Sequence, residues 1–302
     1  MRSAAWSDWR PYAGWSPSAD VLAETLDGGQ SFAWRSTAVT AGDGGAPLVW
    51  TGRWLNHLAQ LRLQGGKLEW RTAPGTALAD LRHYLGEAID WPVLVDSLPW
   101  RSDAHLAAAL AAFPNLRILR QPFGETLLCF LCSATKQIVQ IKQMTALLAE
   151  RHGETIKHSA ISGQPSASLP TWEKLAKIPE AELRGCLLGF RARYIAETAK
   201  FLDRHPGWLE EAEHLPYAAA KERLIELPGV GEKVADCVLL FGAGRLEAFP
   251  VDTWVLKSLA RRYGLTGWKP AQVAHFGRTH FGALAGLAQQ YLFAWERKHG
   301  GR

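Results

Sequence analysis

The alternation of apolar and polar positions divides the chain near residue 120. Over residues 1–100 the apolar residues fall in short alternating runs broken by Gly-rich turns, the pattern of strands. Ser31-Phe32-Ala33-Trp34, after the Asp27-Gly28-Gly29 turn, reads as a first strand. Pro47 to Leu55, then Leu61-Arg62-Leu63 and Leu68-Glu69-Trp70 with Gly65-Gly66 between them, predict an antiparallel meander. Helical patterns over about 76–86 and 104–113 are expected to cover one face of it. From Pro122 onward the period becomes that of helices. They are predicted near 123–133, 136–151, 171–178, 180–187, 191–204, 216–226, 232–241, 253–263, 270–280 and 282–297. Lys157 to Pro170 reads as a polar loop.

Composition narrows the class. A 302-residue chain that is 47% hydrophobic, with 14 Trp and 11 Phe, is long enough for two or three subdomains and is expected to be globular. The net charge of +5 permits a polyanionic partner without requiring one. Lys257, Arg261, Arg262, Lys269, Arg278, Arg297 and Lys298 gather in the last quarter, as a solvated face or a nucleic-acid footprint. Cys129 and Cys132 form a C-x-x-C inside the apolar run LLCFLCSA, where buried thiols are expected rather than a redox pair or zinc ligands. The C-terminal tail carries no cysteine to hold an iron–sulfur cluster. No secretory segment opens the chain and no apolar run reaches membrane-spanning length, so a soluble intracellular protein is expected.

The candidate chemistry lies between Leu227 and Leu256. Leu227-Pro228-Gly229-Val230-Gly231 is a turn in which both glycines are expected to use their conformational freedom, and it feeds a helix whose free N–H groups suit a nucleic-acid phosphate. With the amphipathic pattern Tyr217, Ala220, Leu224, Ile225 ahead of it, the unit reads as helix-hairpin-helix. Lys233 falls in the first turn of the second helix, where the dipole disfavours an ammonium and favours the neutral, nucleophilic amine. Cys237 and Phe241 follow at i+4 and i+8 on the same face. Asp252, after Phe249-Pro250-Val251, is placed to cap the helix that begins with the run Val255, Leu259, Tyr263 and to stay ionised by accepting its N–H groups.

The words LPGVGEKVADC and Pro250-Val251-Asp252 resemble the signature of the helix-hairpin-helix DNA glycosylases, in particular their 8-oxoguanine glycosylase/lyase branch. The resemblance implies an α+β chain. A twisted antiparallel, TBP-like sheet domain (1–120) would precede an all-α glycosylase domain (121–302), with the helix-hairpin-helix at about 216–241. It makes Lys233 the nucleophile at the sugar C1′ and Asp252 the group that supports the charged transition state. Three further stretches match. LDGGQSFAW aligns Gly29 with a Gly whose carbonyl accepts the N7–H of 8-oxoguanine. AGLAQQYLFAWERKH aligns Gln289 with a Gln on the base edge and Phe293 with an aromatic stacked on the base, while Cys237 closes the sandwich and Phe241 extends that wall. GFRARYIAETAKFL aligns Phe190 with an aromatic wedge and Arg191 with an Arg on the orphaned cytosine.

The chain also departs from the pattern. Thr135 stands at the first Asn of the family's Asn-rich run, Gln140 at an Arg that reads the orphan base, and Trp254 at a phosphate-contacting His. These three, with the hairpin residues Gly229, Val230 and Gly231, are the expected DNA contacts. The function implied is excision of 8-oxoguanine from double-stranded DNA followed by β-elimination through a Lys Schiff base. It needs no metal or cofactor and no membrane, and a monomer is expected, in the cytoplasm of a bacterium or the nucleus of a eukaryote. A glycosylase of the same fold for another damaged base, and a non-catalytic DNA-binding protein, are the alternatives; purely hydrolytic relatives lack a Lys at the position of Lys233.

Overall fold

The computed structural model describes residues 6–38, 48–156 and 167–300. Its N-terminal part holds β1 (Arg10–Pro11), α1 (Ala19–Asp27), β2 (Trp34–Ala38), β3 (Leu48–Trp54), β4 (His57–Gln64), β5 (Lys67–Thr72), α2 (Leu78–Tyr84), α3 (Trp91–Ser97) and α4 (Ala104–Ala112). The strands make one antiparallel sheet in the order β1-β5-β4-β3-β2, with Leu61 facing Trp50 on one side and Trp70 on the other. Burial of Leu68, Trp70 and Thr72 in β5 follows the two-residue period that predicts a half-buried strand.

The predicted meander is therefore present, although Pro47 lies outside the described residues, and three local readings change. The first strand begins at Trp34, not Ser31. Ser31 Oγ instead accepts from Ala33 N and meets the Tyr84 hydroxyl, while Phe32 turns edge-on to Phe130 at 5.4 Å. Helices α1 and α3 lie in the stretch read as strands and turns, and each has a legible cap. The Ser18 hydroxyl accepts from Val21 N, and the Asp90 carboxylate accepts from Val93 N. The helix expected to cover the sheet over 104–113 packs on the C-terminal helix instead, its Ala-rich sequence allowing a close approach.

The rest is helical: α5 (Phe123–Leu131), α6 (Ile138–His152), α7 (Trp172–Ala176), α8 (Glu180–Leu183), α9 (Arg191–Arg204), α10 (Trp208–His214), α11 (Tyr217–Ile225), α12 (Glu232–Phe241), α13 (Thr253–Arg262), α14 (Pro270–Phe281) and α15 (Ala285–His299). Residues 157–166 of the predicted polar loop lie outside the described residues. Helix α10 was not expected. The helix expected over 180–187 stops at Leu183 and widens into a π-turn over Arg184–Leu188, because Cys186 and Leu187 leave helical angles, Leu187 at φ +63°. A single apolar core runs from Tyr12 in the sheet region to Ala294 in α15. Within it α5 packs on α12, α11 on α12, and α13 on α15.

Where the sheet meets the helices, a small pocket lined by Arg53 and Glu125 holds charge. Glu125 accepts from Leu55 N at 3.0 Å, and burial pushes its carboxyl up to about 7, with Arg53 pulling the other way. The folded protein thus holds this proton more tightly than an unfolded chain with the ordinary value of 4.5. The stabilisation this gives is full below that value and is lost as pH rises through about 7. Glu125→Gln, neutral throughout, is expected to flatten the change in urea midpoint between about pH 5 and about pH 8 relative to the unmodified chain.

Candidate active site

Helix α11 ends at Ile225, and the chain turns through N–H donations from Leu227 to Leu224 O and from Val230 to Leu227 O, each 3.1 Å. Gly229 takes φ +79°, and a Cβ there would sit 2.6 Å from the Tyr194 ring. Gly231, expected to use the same freedom, is extended at φ −99°, ψ −179°, which any residue adopts. It begins α12 with no side-chain cap, so among the described residues its first amides are left unfilled by side chains. Gly229→Ala is expected to lower stability by about 1–3 kcal/mol, read as a shift in urea midpoint, because it combines a left-handed Cβ with a ring clash.

Lys233 is the second residue of α12 and half-buried. Its Nζ donates to Ser133 Oγ at 3.2 Å and lies 5.0 Å from the centre of the Phe130 ring. Cys237, one turn on, is buried, and burial pushes its thiol up to about 12 against the pull of the Lys233 charge, so it is a neutral packing group. Phe241 stacks on Phe130 with centroids 5.5 Å apart and planes 17° from parallel.

Asp252 arrives from the next loop and caps α13, its Oδ1 accepting from Val255 N at 2.8 Å. Capping does not settle its charge, contrary to the simple expectation. Burial moves the carboxyl above the ordinary aspartate value, while the Val255 N–H and the Lys233 charge pull it back. From α15 come Gln289 and Phe293. Gly29 comes from the loop after α1, where Gln30 fixes the backbone: Nε2 donates to Arg117 O and Oε1 accepts from Leu119 N, both 2.9 Å. Gly29 has φ +108°, and a Cβ there would press on Ile138 at 3.0 Å.

These residues line one cleft. Gly29, Lys233, Cys237, Phe241, Asp252, Gln289 and Phe293 meet around one narrow slot that opens to solvent. Phe130, Pro250 and Gln290 complete its wall and were not singled out from the sequence. Nothing in LLCFLCSA separates Phe130 from a core Phe. Gln290 had a signal, since a second amide on the buried side of an apolar helix needs a partner. An amine and a carboxyl at the ends of two helices, with two rings and amides around an apolar slot, can hold a flat polar ligand while the amine attacks carbon beside it.

Residues 128–278 match the model of the HhH-GPD superfamily base excision DNA repair proteins. The chain belongs to that superfamily. This HhH-GPD protein is 30% identical over 295 residues to the N-glycosylase/DNA lyase OGG1 of Arabidopsis thaliana, covering 91% of this chain and 77% of that one. It is 30% identical over 223 residues to a probable N-glycosylase/DNA lyase of Methanothermobacter thermautotrophicus, covering 68% and 71%. Its fold superposes on the Clostridium acetobutylicum 8-oxoguanine glycosylase/lyase, solved with double-stranded DNA containing cytosine opposite 8-oxoG, with a TM-score of 0.82. That pair is 28% identical over 92% of each chain.

In this HhH-GPD protein the other predicted residues do not line the cleft. Phe190 is 51% exposed and stands edge-on to Tyr194 at 6.0 Å; Trp254, near the start of α13, is 43% exposed. Thr135 is exposed in left-handed backbone, φ +55°. Arg191 is placed differently from a base reader: it is 2% exposed, donating to the carbonyls of Leu188 (3.1 Å) and Ala134 and to Thr135 Oγ1 (3.0 Å). It braces the two surface loops. The Gln140 amide accepts from Gln137 N at 3.2 Å and closes the start of α6. Val230 turns its side chain into the core. Among the basic residues of the last quarter, Arg261 and Arg262 pair with the buried Glu296, Arg297 with Glu24 and Lys298 with Asp20, so these four face carboxylates of the chain itself. Among the described residues no helix is long and apolar enough to cross a membrane.

Proposed function

We propose that the cleft excises 8-oxoguanine from duplex DNA and that Lys233 then cleaves the abasic strand. The observation that carries this is the position of the Lys233 amine, held by Ser133 beside Asp252 at the edge of a slot walled by Phe293, Cys237 and paired amides. A base must leave the stack to be worked on, and a slot of this shape receives it with rings on its faces and Gln289 on its edge. The Gly29 carbonyl is assigned to the N7–H that distinguishes the oxidised base, since normal guanine presents a lone pair there instead.

The Lys233 nitrogen lone pair attacks C1′. The C1′–N9 bond breaks with its electrons leaving on the base, which takes up a proton. The nitrogen gives up one proton, the C1′–O4′ bond then breaks with O4′ taking up a proton, and the nitrogen keeps its last proton as the protonated Schiff base that accepts the electrons of the next step. Loss of a C2′ proton then expels the 3′ phosphate. Asp252 supplies negative charge where the sugar becomes positive, and its half-buried site strengthens that interaction. The unfilled amides at Gly231 and the exposed Phe190, Thr135 and Trp254 are assigned to the DNA around the lesion, with Arg191 and Gln140 holding the loops that present them. Residues 1–120 act as the domain that supplies Gly29, and 121–302 as the one that supplies the nucleophile. The cleft is complete within one chain, which supports a monomer acting wherever the genome is kept.

Incubation with duplex DNA carrying a single 8-oxoguanine tests this. Mass spectrometry is expected to find free 8-oxoguanine and a strand ending in an unsaturated aldehyde. An intact base after exhaustive incubation, with the duplex bound, would refute it.

A further inference from the structure

Two adjacent amides meet inside the cleft. Gln289 is 3% exposed and Gln290 8%, both in the wall of the slot. Gln289 Nε2 donates to the Pro250 carbonyl at 3.1 Å, and Gln289 Oε1 accepts from Gln290 Nε2 at 2.6 Å. The Pro250 carbonyl is only an acceptor, so the Gln289 atom facing it must be the nitrogen. The opposite atom is then the oxygen, and whatever touches it must donate. Gln290 meets that demand.

We propose that Gln290 is a positioning residue that locks the Gln289 amide in one orientation and so sets the hydrogen-bond pattern a base must present to enter. A flip of Gln289 would set oxygen against the Pro250 oxygen and nitrogen against the Gln290 nitrogen, two repulsive contacts in a buried site. Held from both sides, Gln289 keeps one N–H and one lone pair for the ligand. Pro250 stands two residues before Asp252. The same pair therefore ties the base-reading helix α15 to the loop that delivers the carboxylate. The inference rests on the reading of this cleft as a base pocket.

Two isosteric variants and two substrates test it. Gln290→Met removes the donor, and Gln290→Glu replaces it with an acceptor that opposes Gln289 Oε1 when ionised and donates to it when protonated. Each is assayed on duplex DNA with 8-oxoguanine opposite cytosine and on the same duplex with an abasic site, which needs the amine but no base. Base release is expected to fall tenfold or more relative to abasic cleavage in both variants. For Gln290→Glu the ratio is expected to recover as pH falls and the carboxyl becomes a donor; a purely structural role would not produce that recovery. Unchanged ratios in both variants, or equal loss on the two substrates with no pH recovery, would overturn the assignment while leaving the base-pocket reading intact. If the unmodified protein cleaves abasic DNA but releases no oxidised base, the base-pocket reading itself falls, and the proposal with it.

Discussion

Lys233→Gln is expected to reduce strand cleavage by roughly 10⁴-fold or more, the scale on which removal of a nucleophile acts, while duplex affinity stays near that of the unmodified chain. The reason lies in the surroundings of Lys233. Its Nζ donates to Ser133 Oγ at 3.2 Å, and among the described residues no carboxylate forms a salt bridge with it, so replacing it breaks no ion pair. A glutamine there reaches the same hydroxyl but offers no nucleophilic lone pair. Single-turnover cleavage and a gel-shift titration separate the two effects. A parallel loss of affinity and salt dependence, with residual cleavage unaffected, would mark Lys233 as a phosphate contact instead.

Asp252→Asn is the second large effect. Asparagine caps helices about as well as aspartate, so the bond to Val255 N and the stability of α13 should be retained. What is lost is negative charge in a half-buried site beside Lys233. Removing one preorganised group of this kind costs on the order of 10²–10³-fold in rate. Base release in single-turnover experiments should fall by that amount with the urea midpoint little changed. A midpoint that drops together with the rate would show that Asp252 serves the fold rather than the reaction.

The sequence carried the periodic parts of this molecule well and the close-range parts poorly. Alternation in Leu68-Glu69-Trp70, the glycine-bracketed turn before Lys233 and the cap at Asp252 are local signals, and the strand and helices they foretell are present. Gly29, Gln289 and Phe293 were legible through the resemblance of their stretches to the glycosylase pattern, and helix spacing then put Cys237 one turn from Lys233 and Phe293 one turn from Gln289. What spacing could not give was competition for hydrogen bonds. Arg191 reads as a free fork at a helix start, yet the carbonyls of Ala134 and Leu188 claim it. Gln140 reads as a surface contact, yet the open N–H of Gln137 claims it. Ser31 reads as strand until Tyr84, 53 residues away, takes its hydroxyl. Asp252 was expected to be governed by its cap, but the depth of the surrounding walls, a tertiary property, has the larger effect on its carboxyl.

The central claim is that Lys233 forms a covalent bond to the sugar. Borohydride trapping tests it most directly, with the protein mixed with duplex DNA carrying 8-oxoguanine opposite each of the four bases and the products run on a denaturing gel. A stable protein–DNA adduct that is absent from Lys233→Gln is expected. Its yield across the four partners would report how Thr135 and Gln140 bear on the opposite base. Tight duplex binding with no adduct against any partner would contradict the account and leave a hydrolytic glycosylase or a binding protein in its place.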